Sequence, residues 1–76
     1  MTPLDHLNAA IANAGGIFAF ARKLGITHQA VYHWKRRGWV PLERAVEIEQ
    51  HFHVPAGSLI KPLLREALAR TAEGVL

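Results

Sequence analysis

The 76-residue chain has room for one domain, and a domain of this size buries only about 60% of the surface its unfolded form exposes. Half of its residues are apolar, enough for one core and too many for a disordered chain. With no cysteine and a formal net charge of +3, it has neither a disulfide framework nor a thiolate zinc site.

The elements read as helices throughout, with no convincing strand. Thr2 precedes Pro3, a residue favoured at the first helical position, and Asp5 completes an approximate capping box. A helix is predicted from Pro3 to Ala14, with Leu4, Leu7, Ala10, Ile11 and Ala14 as its apolar stripe. Gly15-Gly16 ends it. A second helix covers Ile17 to Leu24, where Ile17, Phe20, Ala21 and Leu24 share a face and Phe18 lies off it. Gly25 suits a left-handed turn, and Thr27 is placed to cap a third helix from His28 to Arg37, closed by Gly38. Trp39-Val40-Pro41 is a connector, and Trp39 either shields the core or lies against sugar and phosphate. A fourth helix runs from Pro41 to Phe52 with Leu42, Ala45, Val46, Ile48 and Phe52 as core candidates. His53-Val54-Pro55 breaks it. Pro55 to Ile60 fits one helical turn, and a last helix is expected from Pro62 to Ala72, fraying before Gly74.

The segment from Ala21 to Trp34 carries the most information. A short helix, a glycine turn and a second capped helix form the layout of a helix-turn-helix, whose second helix lies in the major groove of DNA. Val31 and Trp34 share an inner face, with Ala30 beside them. His28, Gln29, Tyr32 and His33 point elsewhere, in the half of the helix that meets base edges. A glutamine amide can hold adenine through N6 and N7, and an imidazole can donate to guanine or phosphate. Tyr32 can donate to phosphate or pack on a thymine methyl. Lys35, Arg36 and Arg37 suit backbone phosphates. Backbone N–H groups near Gly16 and Ile17 are placed to hold another phosphate. Thr27 has two available tasks, capping its helix and contacting phosphate.

Charge agrees with this layout. No carboxylate occurs from His6 to Leu42, a window that holds Arg22, Lys23, Lys35, Arg36 and Arg37, while Glu43, Glu47, Glu49, Glu66 and Glu73 follow it. A positive segment of this kind is the footprint of a polyanion partner, although charge alone also describes a solvated face. The five histidines show no metal-ligand spacing: His51 and His53 are two apart, and i,i+2 positions on a helix do not face each other. No nucleophile–base pair or carboxylate pair is legible, and Ser58 is the only serine. The expectation is therefore no catalysis, no metal and no cofactor. No apolar run approaches the roughly 18 residues of a membrane span, and Met1-Thr2-Pro3-Leu4-Asp5 lacks the pattern of a signal peptide. A cytoplasmic location is expected.

Gly15-Gly16, Phe20-Ala21-Arg22-Lys23-Leu24-Gly25-Ile26-Thr27 and Gln29-Ala30-Val31-Tyr32-His33-Trp34 together resemble the Cro/CI-type helix-turn-helix of phage repressors. The continuation Arg37-Gly38-Trp39-Val40-Pro41-Leu42-Glu43-Arg44-Ala45, Ile48-Glu49 and Leu59-Ile60-Lys61-Pro62 is similar to the Cro/YdaS-like group of small prophage regulators and antitoxin-related proteins. The resemblance spans Leu4 to Pro62. It implies an all-α, lambda-repressor-like five-helix DNA-binding domain over residues 1–62, which represses promoters by binding a two-fold operator in double-stranded DNA as a homodimer. It also implies groove-facing roles for Thr27, His28, Gln29, Tyr32 and His33. Two positions depart from the family pattern: Ile17 stands where a phosphate-touching polar residue is common, and Trp39 where a basic one is common. Residues 63–76 form a helical extension without a family counterpart. Its Leu64–Leu68 stripe either packs on the domain or makes a dimer seam. An alternative reading makes the chain an antitoxin-type module that binds a protein partner through this last helix.

Overall fold

The computed structural model describes residues 1–74. It contains α1 (Pro3–Ala14), α2 (Ile17–Leu24), α3 (His28–Arg37), α4 (Leu42–Phe52), a 3-10 turn at Ala56–Ser58 and α5 (Pro62–Gly74), and no strand occurs among the described residues. The protein is an all-α, five-helix fold, with four of the α-helices before Pro62 and the fifth in the C-terminal extension. Of that extension, Val75 and Leu76 lie outside the described residues.

Local chemistry sets the helix limits. The Thr2 hydroxyl accepts the Asp5 N–H at 3.2 Å while the Asp5 carboxylate accepts the Thr2 N–H at 2.9 Å, a complete capping box. At the other end of α1, Gly15 N–H donates to the Ala12 carbonyl and Gly16 N–H to that of Ile11, the paired bonds of a Schellman motif. The same motif ends α2: Gly25 N–H bonds Arg22 and Ile26 N–H bonds Ala21. Gly25 supplies the left-handed residue, at φ 70°. Ile26 packs against the core beside Ala21, the apolar contact that accompanies this motif. The helix-turn-helix corner is thus fixed by hydrogen bonds and packing together.

The C-terminus of α4 uses an unusual residue. His53 takes the left-handed conformation, at φ 59°, and its N–H donates to the Glu49 carbonyl at 3.0 Å. The Glu49 carboxylate also accepts the Ala56 N–H at 2.7 Å, which ties the 3-10 turn to α4.

The core is wholly apolar among the described residues. Leu7, Phe20, Val31, Val40, Ala45, Ile48 and Leu59 are fully enclosed, and Trp34 is 5% exposed. Phe20 stacks on Phe52 with ring centroids 5.2 Å apart, joining α2 to α4. Truncating an aromatic side chain at such a place costs about 3–5 kcal/mol, against a total stability on the order of 5–15 kcal/mol. Two expected core residues of α4 are not buried: Leu42 and Val46 are about 40% exposed, because the stripe that meets the bundle is Ala45, Ile48 and Phe52. Val40, Val54, Leu59 and Ile60, from the connectors, are buried in the core as well. The Val40 N–H donates to the Leu59 carbonyl at 2.8 Å, which holds those two connectors together.

The extension behaves differently. Every residue from Lys61 to Thr71 is exposed, including Leu63, Leu64 and Leu68. The radius of gyration is 12.7 Å, larger than the about 11.4 Å of a compact chain of this length. No residue of α5 from Pro62 to Thr71 enters the buried core. No helix among the described residues is long and apolar enough to cross a membrane.

Candidate nucleic-acid interface

Val31 and Trp34 anchor α3 from within, and the helical period then decides what faces outward. His28, Gln29, Tyr32, His33 and Arg36 are all exposed. Gln29, Tyr32, His33 and Arg36 lie three, four or seven residues apart, so they form one stripe. The expected readers are therefore together on one face. Arg36 extends that stripe toward the C-terminus, a role legible in its spacing from Gln29. Lys35 and Arg37 are half-buried on either flank.

Thr27 performs its first task and keeps capacity for the second. Its hydroxyl oxygen accepts the Ala30 N–H at 3.3 Å. Its own O–H remains a donor that can meet a phosphate.

The N-terminus of α2 is narrower as an anion site than the sequence suggests. The Gly16 N–H is already committed to Ile11, so it cannot also hold a phosphate. The backbone donors of the first turn begin at Ile17, where no side chain caps the helix. The Ile17 side chain itself packs against the core. Of Ile17, only the backbone N–H is therefore left for the phosphate contact expected from the sequence.

Arg37 is the flanking cation with a defined internal partner. Its guanidinium carbon lies 3.6 Å from the Trp39 ring centroid, and the Lys61 ammonium approaches the same ring at 5.5 Å. Trp39 thus meets two cations beside the end of α3. Lys61 is 24 residues from Arg37 in sequence, and no local pattern announces that proximity.

The electrostatics of this face are one-sided. Among the described residues, Glu47 pairs with Arg44 at 2.9 Å and Glu66 with Arg70 at 3.3 Å, both within one helix. Glu49 is bound to Ala56, and Asp5 to Thr2. All four of these carboxylates have their partners outside α2 and α3, and no ion pair among the described residues involves a cation of α2 or α3. Among the described residues no three potential metal ligands converge.

Comparison with curated proteins and with solved structures gives no significant match. The family model described as Bacterial toxin YdaS matches residues 7–57, which include α2, the turn, α3, α4 and the start of the 3-10 turn. The match covers about two thirds of the sequence, and the chain belongs to the YdaS family.

Proposed function

We propose that the protein is a sequence-specific, non-catalytic DNA-binding regulator that occupies promoter DNA as a homodimer. One observation carries this reading: the exposed polar stripe of α3, held outward by buried Val31 and Trp34, within a stretch from His6 to Leu42 that carries cations and no carboxylate. Gln29 reads a base, His28, Tyr32 and His33 contact bases or phosphate, and Lys35, Arg36 and the Ile17 N–H bind the backbone. A two-fold dimer presents two such stripes to half-sites about 34 Å apart. Selection of bound DNA from a random pool tests the proposal. A recovered site with two-fold symmetry supports both binding and dimerisation, and an unenriched pool contradicts both.

A second reading is favoured by α5, whose Leu63, Leu64 and Leu68 are exposed. In it the protein is an interaction module of antitoxin type that engages a partner protein through that helix. Truncation after Pro62 separates the two. Loss of a partner with DNA binding intact supports the interaction role. Loss of DNA binding and of dimers together assigns the helix to the dimer seam. The family description speaks of a toxin, and a regulator that silences a needed promoter is toxic with no reactive centre. On that reading, toxicity on expression disappears with variants that abolish DNA binding.

A further inference from the structure

An exposed aromatic ring stands at the helix-turn-helix corner, outside the buried core. Phe18, the second residue of α2, is 59% exposed. A single exposed apolar residue is ordinary, but the position of this one is specific. Its ring centroid lies 4.8 Å from that of His28, the first residue of α3, with the planes tilted by 56°. His28 in turn meets Tyr32 edge-on at 6.0 Å. The three rings form a row from α2 onto the outward stripe of α3. Phe18 and His28 border a shallow depression together with Arg22, Thr27 and Gln29.

We infer that Phe18 is a specificity-determining residue that contacts the 5-methyl group of a pyrimidine next to the base pair read by Gln29. The inference rests on the DNA-binding reading above. The phenyl ring has no hydrogen-bond donor or acceptor, so it cannot read the polar edge of a base. The one apolar group displayed in the major groove is the thymine methyl, and phenylalanine is among the side chains that meet it. Packing against His28 keeps the ring at the corner between the two helices, and the exposed remainder of the ring is the surface left to contact DNA. Thymine and 5-methylcytosine carry the same methyl group, so the shared chemistry is the 5-methylpyrimidine.

The test replaces each thymine of the selected half-site, one at a time, by deoxyuridine, which removes only the methyl group. Wild-type protein should lose about fourfold in affinity at one position, the effect of one buried methyl-sized group. Phe18→Ala should bind the thymine and uracil forms of that position equally, while His28→Ala, which removes the ring that Phe18 packs against, should weaken the discrimination without abolishing it. Phe18→Leu, which retains an apolar side chain, should restore part of it. Because Phe18 is largely exposed, its variants should melt like wild type. At the same position, 5-methylcytosine should bind more tightly than cytosine if the methyl group alone is read. If the two cytosine forms bind alike while thymine is preferred over uracil, the contact is to thymine only. No effect of uracil at any position, or full discrimination in Phe18→Ala, overturns the inference and leaves the DNA-binding reading standing. Failure of wild-type protein to enrich any DNA overturns both.

Discussion

The Arg37 guanidinium lies over the Trp39 indole, 3.6 Å from its centroid, and its Nε donates to the Trp39 carbonyl at 3.3 Å. Two adjacent arginines at the end of α3 are therefore not equivalent. Arg37 braces the connector, whereas Arg36 points outward.

Arg37→Ala should lower stability by about 0.5–1 kcal/mol, the value of a partly exposed cation–π contact, with a small effect on DNA affinity. Arg36→Ala should leave stability unchanged and reduce the salt slope of DNA binding by about 1. Urea midpoints and salt titrations on the two variants check this, and interchangeable behaviour would refute the distinction.

The turn at Gly25 gives a second prediction. A Cβ built there meets no atom within 4 Å, so space is not the constraint. The left-handed φ of 70° is. Gly25→Ala should cost about 1–2 kcal/mol through backbone strain, and Gly25→Asn should cost less because asparagine tolerates this region. Denaturant unfolding of both variants provides the comparison, and equal losses would point to another cause.

Asp5 links folding to acid. The Thr2 N–H that bonds its carboxylate, aided by the Thr2 hydroxyl, holds its pKa below the ordinary value. A carboxylate depressed in the folded state contributes stability above its unfolded pKa and loses it as pH falls through the folded value. Asp5→Asn should therefore melt below wild type at pH 6, and the gap should close toward pH 2. A gap that stays constant with pH would show that charge is not involved.

His28 and His33 are exposed on the face assigned to DNA, where an imidazole N–H can donate to a base or a phosphate. The double variant His28→Ala, His33→Ala should bind the selected site more weakly in a fluorescence-anisotropy assay. Unchanged affinity would remove both side chains from the interface.

The helices and the outward face of α3 were legible because their signals are local. Thr2, Thr27 and the Gly15, Gly25 and Gly38 stops mark limits within a few residues, and Val31–Trp34 spacing fixes which way α3 turns. Phe18 was readable as off the apolar stripe of α2, although its stacking on His28 was not. What escaped depends on contacts between distant segments. Val40, Val54, Leu59 and Ile60 enter the core from connectors with no periodic pattern, while Leu42 and Val46 stay exposed. The commitment of the Gly16 N–H to Ile11 follows from the Schellman geometry rather than from residue type. Lys61 reaches Trp39 only through the fold.

If the outward stripe of α3 reads base sequence, Gln29→Ala must behave differently on selected and scrambled DNA. The variant should lose about 1–3 kcal/mol on the selected site, with relaxed base preference there, and keep its affinity for the scrambled duplex. Equal losses on both duplexes, or no loss on either, would contradict base reading by α3.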